Sequence, residues 1–288
     1  MSEPFVSGFD LASFVNRVLA EDLGEGGDVT SAATVPADAR FEAVMATREP
    51  VTIAGLPLAA LFFRALDAEA AIEQLVQDGA TVAAGTELMR LSGKARPILA
   101  AERSALNSVQ HLTGIATLTR RYADAIAGTG CILLDTRKTV PGLRVLEKYA
   151  ARMGGAHNHR MRLDDGVLIK DNHIAVAGGI AKAVRAARSA GLALPVQVEV
   201  DRIDQIEPAL AAGADRLLLD NMKPATLHKA VALVAGRVPT EASGGVRLDT
   251  IRAIAESGVT YVSAGRITQS APAADIGLDY APSSSPRA

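Results

Sequence analysis

Residues 135–173 read DTRKTVPGLRVLEKYAARMGGAHNHRMRLDDGVLIKDNH, and this stretch decides how the chain can fold. An apolar run, residues 131–134, leads into it, and a second run, residues 167–169, lies near its end. Basic residues follow both runs, namely Arg137, Lys138 and Lys170. Barrels and open parallel sheets place ligands at the C-terminal ends of such strands. The stretch therefore predicts two buried strands whose ends carry a binding site, with a shaped loop between them.

Positive charge is concentrated in this stretch. Between residues 137 and 173 there are eight lysines and arginines against four acids, so the local balance is +4. The whole chain carries -2, which leaves -6 for the remainder. This asymmetry favours an anionic ligand. A solvated basic face is the alternative, and the placement of the cations after apolar runs makes it the weaker interpretation.

Composition bounds the class of protein. With 288 residues and 49% hydrophobic content, the chain can form one large domain or two smaller ones. Its one cysteine, Cys131, indicates a reducing compartment. The N-terminal residues do not resemble a secretion signal, and no apolar run is long enough to span a membrane. We expect a cytoplasmic protein, and the low aromatic content argues against a nucleic-acid surface.

Regular alternation of strands and helices follows residue 130. The strand segments are CILLD, VLIK, VQVEV, RLLLD, VPTEAS and TYVSAG. Their ends carry Asp135, Lys170, Glu199, Asp220, Ser243 and Gly265. Alternation of this kind predicts parallel strands, and in a barrel all these residues would lie on the catalytic rim. An open doubly wound sheet is the competing topology, but no Gly-x-Gly-x-x-Gly motif follows a strand, so we favour the barrel.

The first part of the chain predicts a small α+β unit. Asp10 is expected to cap a helix that ends before Gly24, and a solvated loop should follow it. Residues 40–91 contain β-forming segments, turns and one helix. A long helix is predicted for residues 97–127, with a break near Gly114. No cluster of catalytic residue types is evident in this part.

The predicted rim combines three kinds of group. Arginine forks suit carboxylates on a ring, carboxylates suit sugar hydroxyls or a divalent metal, and glycine turns suit phosphate. Together they predict a site for a phosphorylated sugar and a polyanionic second substrate. Two alternatives stay open: Glu199 and Asp220 could merely pair with rim cations, and Lys170 could act as a Schiff-base nucleophile. Neighbouring acids would keep Lys170 protonated, which disfavours the second.

Several segments resemble a known family. They are EDLG, DTRKTVPGLRVLEKYAARMGG, NHR, LIKDNHI, VEV, LLLDNM, EASGG, SAGRIT and DIGLD, and they extend over nearly the full chain. The chain resembles quinolinate phosphoribosyltransferases, type II phosphoribosyltransferases of EC class 2.4.2.19. The resemblance implies an N-terminal open-faced α+β sandwich and an incomplete, seven-stranded α/β barrel. We expect the sandwich to occupy residues 1–112, joined by residues 273–288, and the barrel residues 113–272.

The resemblance also implies an activity and its residues. The family transfers the phosphoribosyl group of phosphoribosyl pyrophosphate to quinolinate with loss of CO₂, giving nicotinate mononucleotide and pyrophosphate in NAD biosynthesis. Lys138, Glu199 and Asp220 would be catalytic, with Mg²⁺ as cofactor, held mainly through substrate and near the two acids. Arg103 would act across a homodimer interface, and a higher oligomer is allowed. The remaining implied substrate-binding residues are Thr136, Arg137, His159, Arg160, Lys170, Ser243, Gly244, Gly245, Ala264 and Gly265.

The chain departs from the family pattern in places. Ile267-Thr268-Gln269-Ser270 stands where Leu-Thr-His-Ser is common, and Arg266 replaces a small residue, which leaves the phosphate side less defined. The N-terminal loop carries an extra glycine. Two other functions remain open: a molybdenum-transport-associated paralogue with a different acceptor, and a non-catalytic barrel that binds anionic metabolites.

Overall fold

The computed structural model describes residues 6–281. Within them the chain forms two compact units. The first contains residues up to 118, residues 145–154 and residues from 271 onward, and the second contains residues 119–144 and 155–270. Residues 1–5 and 282–288, which we assigned to the sandwich, lie outside the described residues. No helix in the described part of the chain is both long and apolar enough to cross a bilayer.

Both kinds of secondary structure occur in the first unit. Its helices are α1 (Leu11–Leu23), α2 (Val29–Thr34), α3 (Leu56–Leu66), α4 (Ala95–Ala125), which extends into the second unit, and α5 (Arg144–Met153). Its strands are β1 (Arg40–Thr47), β2 (Val51–Thr52), β3 (Ala71–Gln74), β4 (Thr81–Val82), β5 (Glu87–Lys94) and β12 (Ile276–Tyr280). Strands β12, β1, β5 and β3 form an antiparallel sheet in that order, and β2 pairs with β4.

Local capping bonds explain where helices α1 and α2 begin. Asp10 accepts a hydrogen bond from the backbone N–H of Ser13 and so caps α1, as predicted. The predicted loop after α1 is shorter than expected, because Asp28 caps a second helix, α2, by the same type of bond to Ser31. Sequence reasoning missed this helix because its six residues are too short to show a periodic apolar face.

Helix α4 is continuous, so the predicted break at Gly114 is wrong. A Cβ atom at Gly114 would lie 2.0 Å from the carbonyl oxygen of Pro272. The glycine therefore permits a close approach of two backbones within the first unit, rather than a bend in the helix.

The second unit is built from alternating strands and helices. Its strands are β6 (Ile132–Leu134), β7 (Val167–Ile169), β8 (Val196–Val200), β9 (Arg216–Asp220), β10 (Thr240–Ser243) and β11 (Tyr261–Ser263). Its helices are α6 (Asp171–Ala177), α7 (Ile180–Ser189), α8 (Ile206–Ala211) after a 3-10 turn (Ile203–Gln205), α9 (Pro224–Val234), α10 (Ile251–Ala255) and α11 (Arg266–Gln269). The six strand segments predicted from sequence all form strands.

The strand order identifies the sheet as an incomplete barrel. All pairs are parallel, and the order is β6-β11-β10-β9-β8-β7, so the first strand in the chain lies beside the last. An open doubly wound sheet would reverse direction at a switch point instead. The resemblance implied a barrel of seven strands, whereas the parallel sheet within the described residues has six. At the free edge of β6, His157 adds an isolated parallel bridge to Leu134.

Part of the segment between β6 and β7 is helical, which corrects our interpretation of it as a loop. Helix α5 forms because RVLEKYAARM places apolar residues on one face, while Gly154 and Gly155 end the pattern. Only residues 135–143 and 154–166, on either side of this helix, form loops. Gly154, Gly155, His157 and His159, which disfavour a helix, all follow Met153, so the ten residues before them can be helical.

Candidate active site at the strand ends

The C-terminal ends of the parallel strands bring most of the predicted site residues together. Asp135 and Lys170 directly follow β6 and β7, whereas Asp220 and Ser243 are the last residues of β9 and β10. Glu199 is the penultimate residue of β8, and Ala264 and Gly265 follow β11. Because the strands are parallel and in register, their ends share one rim.

Two arginines form the cationic part of this rim. Burial lowers the pKa of Arg160, and the positive charge of Arg137 lowers it further. Like charges held this close repel each other unless an anion lies between them. Arg160 also donates to the carbonyl oxygen of Gly166 at 3.0 Å, which fixes the direction of its side chain. The pair is therefore preorganised for a ligand with one or more carboxylates.

Asp135 holds the segment that carries Arg160. Its carboxylate is fully buried and accepts hydrogen bonds from the side chain of Asn158 and, at 2.8 Å, from the backbone N–H of His159. The backbone N–H of Asp135 donates to the carbonyl oxygen of His157. These bonds replace the ladder of a regular strand and fix residues 157–160 against β6.

Acidic and basic groups alternate further along the rim. The ammonium of Lys170 lies 2.9 Å from a carboxylate oxygen of Glu199. Burial raises the pKa of Asp220, the nearby charge of Glu199 raises it further, and the hydrogen bond from Asn221 and the charges of Lys170 and Lys138 oppose the rise. An ammonium paired with Glu199 suits charge stabilisation better than nucleophilic attack, so the Schiff-base alternative gains no support.

Glycines after β10 and β11 create space at the rim. Gly244 has a φ of 90°, and a Cβ atom there would lie 2.2 Å from the side-chain oxygen of Asn221. Gly245 also has a positive φ, of 61°, with open space around it. At Gly265 a Cβ atom would lie 2.7 Å from Cδ of Lys138. Successive glycines of this kind expose backbone N–H groups to an anion.

Lys138 is held by its backbone and exposed at its side chain. Its N–H donates to the hydroxyl of Thr136 at 3.0 Å, and its carbonyl oxygen accepts from the hydroxyl of Thr268 at 2.7 Å. Thr268 belongs to the ITQS segment, residues 267–270, that departs from the family pattern. The lysine is therefore fixed at its base while its ammonium can follow a ligand.

Several cations of the basic stretch have other roles, which corrects its treatment as one group. Arg144 joins the hydroxyl of Thr139 to the carbonyl oxygen of Met161 and so ties two loops together. Arg162 forms an exposed ion pair with Asp164. Lys148 and Arg152 belong to α5 in the first unit, where Lys148 is fully buried. The net charge of a sequence window does not show which of its cations are buried or already paired within the protein.

Glu241 is a site residue that sequence reasoning missed. It lies in β10, is fully buried and accepts a 2.7 Å hydrogen bond from the side-chain amide of Gln197. Its carboxylate also lies 3.3 Å from Nε2 of His159. Although burial raises the pKa of Glu241, the hydrogen bond and charge of His159, with contributions from Ser263 and Gln197, leave it lowered. The available signal was a single acid inside the strand segment VPTEAS.

Two further residues considered from the sequence are Arg103, predicted to act across a subunit interface, and Cys131, taken to indicate a reducing compartment. Arg103 is exposed on α4 in the first unit. Burial raises the pKa of Cys131 to about 12, so its thiol stays protonated at neutral pH.

Glu199 and Asp220 alone offer too few ligands for a metal ion, so a bound substrate would have to supply the others. Within residues 6–281 no group of three or more histidines, cysteines or acids is placed to hold a metal. Glu199 and Asp220 are a pair, close enough for one charge to raise the pKa of the other. Two carboxylates with substrate phosphates are a usual Mg²⁺ environment, and the residues therefore fit that ion in the substrate complex.

Two models of one protein family match most of the chain. The family model for the quinolinate phosphoribosyl transferase N-terminal domain matches residues 28–113, and the C-terminal domain model matches residues 115–279. The chain belongs to the quinolinate phosphoribosyl transferase family. The predicted family and fold class are thereby confirmed.

Individual relatives agree over most of their length. A carboxylating nicotinate-nucleotide pyrophosphorylase of Mycobacterium leprae (strain TN) is 43% identical, covering 94% of this chain and 98% of the relative. The chloroplastic enzyme of the same name from Oryza sativa subsp. japonica is also 43% identical, over 94% of this chain and 77% of the relative. The solved nicotinate-nucleotide pyrophosphorylase of Francisella tularensis matches with a TM-score of 0.90 and 40% identity, over 94% and 96% of the two chains.

Proposed function

We propose that the rim of the second unit performs the reaction of the family. The chain is a pentosyltransferase that joins quinolinate to the phosphoribosyl group of phosphoribosyl pyrophosphate, with release of pyrophosphate and CO₂. Its product is nicotinate mononucleotide, a precursor of NAD. The observation that carries the site assignment is the approach of Arg137 to Arg160 on the same rim as Glu199 and Asp220.

The cationic part of the rim is the proposed quinolinate site. Arg137 and Arg160 face the two adjacent carboxylates of the ring, because planar guanidiniums match carboxylates in two-bond geometry. Lys138 and Lys170 add positive charge, and Thr136 completes the direct contacts. His159, the other residue of the predicted set, lies directly before Arg160, whose backbone N–H donates to its ring. The proposal is supported by the positive charge of Arg137, which lowers the pKa of Arg160, and by the buried Asp135 that holds residues 157–160.

The acidic and glycine-rich parts are the proposed phosphoribosyl site. Glu199 and Asp220 accept hydrogen bonds from ribose hydroxyls. The 5-phosphate binds where backbone N–H groups are exposed by glycine turns. The residues proposed for this phosphate are Ser243, Gly244, Gly245, Ala264 and Gly265.

Charge development explains why both parts are needed. As the bond from ribose to pyrophosphate breaks, positive charge grows on the sugar, and Glu199 and Asp220 are placed to stabilise it. Lys138 is proposed to stabilise the departing pyrophosphate. The site also holds two anionic reactants together, which removes much of the entropic cost of their encounter. After transfer, the bond from ring C2 to its carboxylate breaks and CO₂ leaves. The electron pair stays on C2, where the adjacent positive nitrogen stabilises it, and C2 then takes a proton from solvent.

Mg²⁺ is the proposed cofactor. Glu199 and Asp220 would hold it together with the phosphates of the sugar substrate, and when bound it supplies positive charge against the leaving group. The chain's own lysines supply charge at the same edge of the site, so loss of either contribution should slow transfer.

Arg103 is proposed to complete the quinolinate site of a partner subunit in a homodimer. If so, an Arg103→Ala homodimer and a Lys138→Ala homodimer should each be weak, whereas their mixture should regain activity. Rescue arises because each heterodimer contains one intact site and one site that lacks both side chains. Co-expression with two different purification tags isolates these heterodimers, and no regain of activity in them would contradict the shared site.

Product analysis tests the proposed activity. Purified chain, Mg²⁺, quinolinate and phosphoribosyl pyrophosphate should yield nicotinate mononucleotide and pyrophosphate by chromatography and mass spectrometry. Omission of the sugar phosphate is the control. Binding of phosphoribosyl pyrophosphate without product would indicate an anion-binding barrel, and transfer to another acceptor would indicate the paralogue. The single cysteine fits action in a reducing compartment such as the cytoplasm.

A further inference from the structure

We propose that Glu241 is a positioning residue for the carboxylate-binding cluster, acting through His159 on Arg160. His159 would then serve as an internal link whose ring nitrogens are both used by the protein, rather than as a direct ligand of substrate. The kinetic part of this inference rests on the proposed function, whereas its structural part does not.

The two ring nitrogens of His159 have different tasks. Nδ1 lies 2.7 Å from the backbone nitrogen of Arg160, which can only donate, so Nδ1 must accept and carry no proton. Nε2 lies 3.3 Å from Glu241, whose ionised carboxylate can only accept, so Nε2 must donate. A neutral imidazole with its proton on Nε2 satisfies both contacts. The arrangement therefore selects one tautomer.

Burial makes the imidazole a poor candidate for direct binding. The side chain of His159 is only 12% exposed, and that of Glu241 only 1%. A substrate carboxylate would have to displace Glu241 from Nε2 and leave a buried negative charge without this partner, which is costly. Arg160, in contrast, presents a guanidinium next to that of Arg137.

Glu241 is itself held in place. Gln197, from β8, donates to the same carboxylate oxygen that faces His159, at 2.7 Å. Because β9 lies between β8 and β10, this bond spans one intervening strand on one face of the sheet. A carboxylate fixed in this way defines both the distance and the plane of the imidazole that it binds.

Arg160 consequently has anchors on two separate strands. Asp135, after β6, holds the backbone N–H of His159, while Glu241, in β10, holds the ring of His159 that accepts from Arg160. Asp135 fixes where residues 157–160 lie on the rim. Glu241, through the ring of His159, fixes the backbone N–H of Arg160. Loss of the second should loosen the guanidinium without disturbing the glycine turns.

The first test measures the tautomer directly. Nitrogen NMR of isotope-labelled histidine, with the His159 signals identified by their loss in His159→Asn, should show a proton on Nε2 and none on Nδ1 in the ligand-free wild type. A proton on Nδ1 would overturn the proposal. This test needs no turnover, so it remains decisive if the proposed activity fails or if a Glu241 variant does not fold.

The second test measures substrate affinity in Glu241→Gln, which preserves shape and removes charge. A neutral acceptor replaces a charged one, so the KM for quinolinate should rise about tenfold while the KM for phosphoribosyl pyrophosphate changes by less than about twofold. Thr240→Val, also buried in β10, is the matched control and should change neither KM. An unchanged KM for quinolinate in folded Glu241→Gln, or an equal rise for both substrates, would overturn the proposal. Absence of product with the wild type would count against the proposed function alone.

Discussion

Asp78 in the first unit and Asp220 in the second share a raised pKa, and in both cases burial is the main cause. Their surroundings differ. Asp78 accepts hydrogen bonds from the hydroxyl of Tyr149 at 2.7 Å and from the backbone N–H groups of Gly55 and Leu56, at 2.7 and 3.2 Å. Asp220 accepts one bond from Asn221 and lies near the negative charge of Glu199.

This difference separates a structural acid from a functional one. The bonds to Asp78 offset its burial and satisfy the start of α3, where backbone N–H groups have no partner within the helix. At Asp220 the cost of burial is increased by Glu199 instead. Such a carboxylate is stabilised when a cation or a hydroxyl-bearing ligand arrives. A raised pKa alone therefore does not identify a site, but its causes do.

Asp220→Asn should have the largest effect on turnover. Removal of the carboxylate should lower kcat by about 100-fold, the scale of losing one electrostatic contact to a transition state, with a much smaller change in the KM for quinolinate. Steady-state kinetics with both substrates measures the split. Equal losses in kcat and in quinolinate affinity would indicate that Asp220 only organises the fold.

The same variant should be more stable than the wild type at neutral pH. A raised pKa means that the ionised form is less favourable in the folded state than in the unfolded chain. This penalty is present above the folded-state pKa and disappears as pH falls through it. Thermal unfolding of ligand-free protein should show a higher Tm for Asp220→Asn at neutral pH and a shrinking difference in acid. A lower Tm at neutral pH would contradict the comparison.

Gly244→Ala should raise the KM for phosphoribosyl pyrophosphate about tenfold. The new Cβ would meet Asn221 at 2.2 Å in a backbone conformation that disfavours side chains, so the turn must shift. We expect the KM for phosphoribosyl pyrophosphate to rise while that for quinolinate stays within about twofold. Gly245→Ala, which meets no atom within 4 Å, is the matched control with a smaller effect. A larger effect at Gly245 would reverse this assignment.

Asp78→Ala should affect stability and leave the chemistry unchanged. It removes the acceptor of two backbone N–H groups and of Tyr149, so the free energy of unfolding should fall by about 1–3 kcal/mol. Urea unfolding measures this loss, with exposed Glu73→Ala as control. The kcat/KM of Asp78→Ala, measured under conditions where the variant is fully folded, should equal that of the wild type. A large loss of kcat/KM would remove the distinction between the two aspartates.

Arg162→Gln should have the smallest effect, although Arg162 lies two residues from Arg160 in the same basic stretch. Its ion pair with Asp164 is exposed at both ends, and such pairs contribute little. In Arg162→Gln we expect the kcat/KM for quinolinate to change less than about twofold. In Arg160→Gln the KM for quinolinate should rise strongly. Similar losses in both variants would indicate that the stretch acts through its total charge.

The barrel and its rim could be predicted from sequence because they follow local rules. Apolar segments of strand length, spaced by one helix each, predict parallel strands, and the last residue of each strand then points to a common edge. Lys170, Glu199 and Asp220 were found in this way. Their observed contacts required no information beyond the strand ends and the sign of each charge.

The remainder depends on contacts that sequence periodicity does not encode. Glu241 lies within a strand, where a single acid is easily taken for a surface residue, and its importance depends on Gln197 from a distant segment. Gly114 was interpreted as a helix break because its backbone contact, Pro272, lies far along the chain. Arg144 was counted in the local charge balance that favoured an anionic ligand, although it ties two loops together. In each case a distant partner decides the role.

Release of radiolabelled CO₂ from quinolinate labelled in its 2-carboxyl group tests the central claim most directly. With Mg²⁺ and phosphoribosyl pyrophosphate, the purified chain should release label in step with nicotinate mononucleotide, and it should release none when the sugar phosphate is omitted. Label in the 3-carboxyl group should remain in the nucleotide. No release from folded protein that binds both substrates, or release without the sugar phosphate, would contradict the account.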